Sequence, residues 1–305
     1  MSMSRSLTTI GRLGLRCVLS AVVALVGCGL ALVVTAPAPA HAGCGSSADF
    51  VFTTTAANTS GYITYSPSSD GLGALPIFVT QLYTSAYDAH PVGVWYDTYS
   101  QQWTIFNEDF AAIPIGTSFT VSNFCTPETI ALTATASNVQ GDAVFINNPA
   151  TNGNPNASLY ATQNWTGTYN PHEIGVYYNI GVGEWAIYNL DLSPMPIGAS
   201  FDVLPSSFTG GVNANTLSVA ASASNTVGGY MVYINDPRFN NQPALIPQLS
   251  QVYYMGPCNQ FGCPGVINNH PVGVWYDSSA GQWVIYNVDR ANMPAGASFF
   301  ITPYI

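Results

Sequence analysis

The sequence predicts an all-β protein: three tandem small antiparallel β-sandwich or barrel domains behind a signal peptide. Three observations carry this prediction. One motif recurs three times in the 305 residues, apolar and polar residues alternate with a period of two inside each copy, and no stretch after residue 42 has the 3.6-residue period of a helix.

Residues 1–42 read as the signal peptide. Arg5, Arg12 and Arg16 precede an uncharged run from Cys17 to Val34, and Ala40-His41-Ala42 has the small residues of a cleavage site, so the mature chain is expected to begin at Gly43. Two other readings compete with cleavage. The run is long enough to span a bilayer, but Pro37 and Pro39 follow it at once, which favours cleavage. Leu25-Val26-Gly27-Cys28 resembles a lipobox, yet Gly29 to Val34 stays apolar where a lipoprotein turns polar. The expected location is therefore secreted, with no membrane insertion after cleavage.

Cleavage changes the charge. The chain has no lysine, and the mature part keeps only Arg238 and Arg290 against fifteen carboxylates, a net charge of −13. Such a surface repels phosphate backbones and anionic membranes, so nucleic acid is not an expected partner. The charge also keeps an aromatic-rich exported chain dispersed.

The repeat gives the domain boundaries. His90-Pro-Val-Gly-Val-Trp-Tyr-Asp97 aligns with His172-Glu-Ile-Gly-Val-Tyr-Tyr-Asn179 and His270-Pro-Val-Gly-Val-Trp-Tyr-Asp277. Thirteen residues after each His stands Trp103, Trp185 or Trp283, opening W-x-I-[FY]-N-x-D, followed by a P-x-G turn and Phe119, Phe201 or Phe299. Asn58, Asn138 and Asn225 precede these His residues by 32, 34 and 45 positions, each three residues before a glycine. The copies so defined are 43–125, 126–207 and 208–305, and the third carries an insertion just before His270. At about 80 residues or more, each is long enough to hold a core of its own and is expected to fold alone.

Within copy one, Val92, Val94 and Tyr96 alternate with Gly93, Trp95 and Asp97, and Trp103, Ile105 and Asn107 alternate with Thr104 and Phe106. Residues 98–102 make the connection a hairpin. Further strands are expected over Tyr62–Tyr65, Ile77–Tyr83 and Ser118–Ser122.

These motifs resemble an uncharacterised repeat of exported bacterial proteins that reads H-P-x-G-V-W-Y-D, W-x-I-[FY]-N-x-D and M-P-x-G-x-x-F-N-V. The resemblance covers nearly all of the mature chain and implies secretion and a domain of unknown function, with no catalytic residues to carry over. Copy two departs most, with Glu173 for proline, Tyr177 for tryptophan and Asn179 for aspartate. A site that needs those groups is weakest there.

Four kinds of candidate residue stand out. Cys44, Cys125, Cys258 and Cys263 remain after cleavage. Export makes disulfides the expected state, Cys44 with Cys125 bracketing one copy and Cys258 with Cys263 closing a short loop; a zinc site lacks a second compact pair. His90, His172 and His270 occupy one repeat position and are read as starting a strand and fixing a turn through a ring hydrogen bond, with a metal or catalytic role as the alternative. Asp97, Asn107 and Asp109, with Asp277, Asn287 and Asp289 in copy three, offer oxygen ligands on one hairpin; they are read as strand and turn caps and no cofactor is expected, with calcium as the alternative. Of the aromatics, Trp103, Trp185 and Trp283 share a face with Ile and are assigned to the core. Trp95 and Trp275, with their neighbours Tyr96 and Tyr276, are the binding candidates.

No enzyme motif is present: no G-x-S-x-G, no H-E-x-x-H and no lysine. The expected function is secreted, non-catalytic binding or adhesion to an extracellular glycan, cell-surface or protein ligand. A structural matrix repeat comes next, and an extracellular hydrolase third.

Overall fold

The computed structural model describes residues 49–66, 75–123, 129–205, 216–253 and 265–303. The signal segment, the four cysteines and most of the insertion before His270 lie outside the described residues, so the disulfide assignments do too.

Among the described residues every copy supplies seven strands in the same order. Copy one has β1 (Asp49–Thr53), β2 (Thr59–Ser60), β3 (Ile63–Tyr65), β4 (Ile77–Leu82), β5 (Val92–Asp97), β6 (Gln102–Asn107) and β7 (Ser118–Asn123). Copy two repeats them as β8 (Ile130–Thr133), β9 (Val139–Gln140), β10 (Ala143–Ile146), β11 (Leu159–Asn164), β12 (Ile174–Asn179), β13 (Glu184–Asn189) and β14 (Ser200–Pro205). Copy three has β15 (Leu217–Ala220), β16 (Thr226–Val227), β17 (Met231–Tyr233), β18 (Gln248–Tyr253), β19 (Val272–Asp277), β20 (Gln282–Asn287) and β21 (Ser298–Thr302). No helix occurs among the described residues.

The repeated polar residues hold the turns between these strands. Asn58 Oδ1 accepts the Thr55 amide at 2.7 Å while its Nδ2 donates to the Thr53 carbonyl, and Asn138 and Asn225 make the same pair of bonds. An Asn side chain that bonds both arms of a turn replaces the backbone pairing the turn interrupts. In the P-x-G turns, Gly116, Gly198 and Gly296 take φ of 92°, 97° and 94°. That left-handed backbone explains a glycine in all three copies.

The strands form three seven-stranded sheets, ordered β1-β7-β4-β19-β20-β17-β16, β2-β3-β6-β5-β11-β14-β8 and β15-β21-β18-β12-β13-β10-β9. Each sheet joins three strands of one copy to four of another, cyclically: copy one with copy three, copy two with copy one, copy three with copy two. The joints are short parallel pairings, Gln81–Leu82 with Gly273–Val274, Gln163–Asn164 with Gly93–Val94, and Val252–Tyr253 with Val176–Tyr177. All other pairings are antiparallel.

Each core is built mainly from one copy, although the cluster around Trp185 also takes in Phe78 of copy one and Val252 and Phe300 of copy three. Phe52, Ile77, Val94, Trp103, Ile105, Phe119 and Val121 pack together, and they come from β1, β4 and β7 in one sheet and β5 and β6 in the next. Copies two and three build equivalent clusters around Trp185 and Trp283. Each copy is thus a small sandwich whose two halves continue into its neighbours. The expectation that a copy folds alone is revised accordingly: a free copy would leave the β4-type and β5-type edges unpaired, and open edges seek partners.

The β4-type strands meet at the centre, where they touch one another. Their backbones are tied in a cycle: Val79 N–H donates to Thr162 Oγ1 (3.4 Å), Ala161 N–H to Ser250 Oγ (3.3 Å) and Leu249 N–H to Thr80 Oγ1 (3.0 Å). This cycle marks a pseudo-threefold axis, and the three copies belong to one compact unit.

Candidate functional site

The hairpin of β5 and β6 presents two different faces. Val92, Val94 and Tyr96 lie on the core side with Trp103 and Ile105; Gly93, Trp95 and Asp97 lie on the other. Tyr96 packs against Trp103 with ring centroids 5.5 Å apart, and Tyr276 packs on Trp283 at the same distance. Alternation therefore separates the pairs grouped as binding candidates. All four rings are half-buried; Tyr96 and Tyr276 pack on the core of their copy, whereas Trp95 and Trp275 lie on the opposite face of the hairpin. Trp103, Trp185 and Trp283 are buried, at 3, 1 and 2 % exposure.

The outward tryptophans stand at the joints between copies. Trp95 meets Trp165 of copy two at 5.7 Å, edge to face; Trp165 meets Tyr169 at 5.6 Å; Tyr169 meets Phe110 at 4.5 Å and Phe106 at 5.8 Å; Phe110 meets Tyr62 at 5.1 Å. The joint of copies three and one gathers Trp275, Tyr286, Tyr230 and Tyr233 with Tyr83 and Tyr87, whose rings stack at 4.5 Å. Here the exposed Arg290 guanidinium lies 4.5 Å over the Tyr87 ring. The third joint holds Phe145, Tyr177, Tyr188 and Tyr253.

Trp165, which has no counterpart among the recurring tryptophans, is in fact a recurring aromatic. It follows β11 as Tyr83 follows β4, and Tyr253 closes β18. The missed signal is Thr80-Gln-Leu-Tyr83, Thr162-Gln-Asn-Trp165 and Ser250-Gln-Val-Tyr253.

The glycine of the H-x-x-G motif lies under these clusters. A Cβ on Gly93 would stand 2.7 Å from the Phe106 ring and 2.3 Å from Glu108 Oε1, and one on Gly273 would stand 3.0 Å from the Gln81 carbonyl across the joint. Close approach of an aromatic ring and a neighbouring strand therefore requires glycine here.

The histidines turn out alike. His90 Nδ1 is 2.7 Å from Asp109 Oδ2, and the His172–Asp191 and His270–Asp289 pairs lie at 2.8 and 2.7 Å. Asp109 Oδ1 accepts the Ala111 amide, and Asp191 and Asp289 accept the matching amides. These pairs fasten the strand start to the turn after β6. In that turn Phe110, Leu192 and Arg290 take φ of 65°, 62° and 61°, a left-handed conformation that non-glycine residues adopt at some cost.

The calcium set does not assemble. The hairpin register opposes Val92 to Asn107 and Asp97 to Gln102, so Asp97 sits at the far end from Asn107 and Asp109. Asp97 caps its own turn through the Tyr99 amide and Ser100 hydroxyl, as Asp277 does through Ser279. Asn179 makes the equivalent cap through the Gly181 amide, so its departure from aspartate costs no structure. Asn107 is buried and donates to Asp88 Oδ1 and to the Ala111 carbonyl, and Asn287 donates to Asn268 and Ala291 in the same way. Among the described residues no group of three or more His, Cys, Asp or Glu side chains is placed to hold a metal ion.

Five carboxyl groups are pushed up by burial: Asp49, Asp88 to about 6, Glu108 and Asp202 to about 7, and Glu173 to about 8. Donors to Asp88, Glu108 and Asp202 offset part of the effect. A carboxyl with a raised folded-state pKa binds its proton more tightly folded than unfolded, so its contribution is complete below about pH 4 and disappears as the pH rises through 6 to 8. Thermal unfolding should therefore show the highest Tm at the acid end of pH 4–8. A Tm that climbs across this range would contradict the burial of these groups.

A family model described as a domain of unknown function, DUF7452, matches residues 41–123, 93–205 and 175–302. Its second and third matches begin inside β5 and β12, the strands that carry the joint to the next copy. No curated protein and no solved structure matches the chain significantly. With the matches together spanning residues 41–302, the chain belongs to the DUF7452 family of repeated domains of unknown function.

Proposed function

We propose that the protein is an exported, non-catalytic binding protein that engages an extracellular glycan through the aromatic faces at its sheet joints. The observation that supports this reading is the aromatic cluster on the non-core side of each joint, five of whose rings at the first joint run from Trp95 to Tyr62 in successive contact. Aromatic rings held edge to face offer flat apolar surface at low entropic cost. Phe110 at 53 % and Leu192 at 59 % exposure stand over their joints on a strained backbone. With Arg290 they give three faces of one architecture three different rims. Three faces on one compact unit multiply a weak contact through effective concentration, which suits adhesion better than turnover.

The test is a glycan array probed with the mature chain, 43–305. Trp95→Ala together with Trp165→Ala should weaken the strongest array signal at least tenfold while moving Tm by only a few degrees. An array with no signal above background would overturn the glycan reading.

A further inference from the structure

We infer that the cavity on the pseudo-threefold axis is a site for a small monovalent cation, held by the carboxylate of Glu173. The inference is independent of the glycan reading. It begins with a half-open cavity of about 90 Å³ where the three copies meet, lined by Thr80, Thr162 and Ser250 and by Gln81, Gln163 and Gln251. Space of that size admits a single small ion with a water or two.

Glu173 breaks the symmetry of this centre. Copies one and three place Pro91 and Pro271 at its position, so one acid, not three, enters the cavity. The residue is half-buried, and its Oε1 is shielded from solvent with no hydrogen-bond partner among the described residues. The charges that act on it are all negative: Asp88, Asp289 and Asp109. His90 also lines the cavity, but its Nδ1 is paired with Asp109. A buried carboxyl without donor or counter-charge must either keep its proton or take a cation.

The chemistry selects the cation. The cavity lining combines three hydroxyls and three side-chain amides with one carboxylate, and oxygen ligands with a single negative charge suit potassium or ammonium. A divalent ion would need further carboxylates, and among the described residues none is placed to join Glu173 in a metal-holding group. Entry of the ion displaces the Glu173 proton to solvent, so binding strengthens as the pH rises.

The experiment uses the mature chain at pH 8.5. Equilibrium dialysis against rubidium-86 should retain about one ion per chain, displaced by potassium or ammonium and not by choline, which is too large to enter. Potassium chloride should also raise Tm above that in equimolar choline chloride, and the difference should vanish in Glu173→Gln. Sodium separates a size-selective site from general charge screening, which would treat all the salts alike. Rubidium retained no better in potassium-free than in potassium-loaded buffer would overturn the inference, as would equal Tm in potassium and choline. The dialysis needs no variant, so it decides the matter even if Glu173→Gln fails to fold.

Discussion

A fragment of copy two alone, residues 126–207 with Glu173→Pro, is expected to assemble into a homotrimer. The fragment keeps its own core around Trp185, Leu159, Val176 and Phe201. It also keeps both halves of a joint: the β11 edge that pairs with β5 of copy one, and the β12 edge that pairs with β18 of copy three. These two edges are different and complementary. Such heterologous contacts close into a ring when the rotation between subunits is one third of a turn, as the cyclic order of the sheets provides. Trimer formation would restore the central cycle of backbone bonds to Thr162-type hydroxyls. Glu173 is replaced because three copies of it would converge on one cavity of about 90 Å³. With the natural residue, the trimer should form only in acid, where the three carboxyls are neutral, and dissociate as the pH rises. Sedimentation or native mass spectrometry reads the mass directly. A folded monomer at micromolar concentration, unchanged by the proline substitution, would show that the joints do not drive association.

The second large effect separates the two kinds of tryptophan. Trp185→Ala should cost about 3 to 5 kcal/mol, because it empties a core position and leaves little room for the sandwich to collapse. Trp185 is 1 % exposed, its ring reaches Phe300 of copy three at 6.2 Å, and its Nε1–H donates to the Asn154 carbonyl at 2.9 Å. A loss of that size lowers Tm by on the order of 10 °C in a unit of this length. Trp275→Ala removes a partly exposed ring from the opposite face of an equivalent hairpin and should shift Tm by much less. Scanning calorimetry of the two variants compares them directly. Equal losses would mean that the outward aromatics serve the fold as much as the core does, and the binding faces would lose their physical basis.

Much of this protein is determined by sequence alone because its signals are local. A period of two assigns Trp103 to the core and Trp95 to the other face before any partner is known, and the recurrence of Asn58, Asn138 and Asn225 marks turns that each close on their own neighbours. The repeat itself shows that three equivalent units exist. Local patterns also gave the wrong company to some residues. Adjacency places Tyr96 beside Trp95, although adjacent strand residues point apart, and the motif places Asp97 near Asn107, although a hairpin sets the end of one strand against the start of the next. Tertiary structure alone decided which edges pair. Each joint rests on two residue pairs between strands of different copies, and nothing in the residues of an edge specifies that its partner is distant in sequence. The aromatic faces and the axial cavity with Glu173 exist only because those joints close a ring, so neither could be read from one copy.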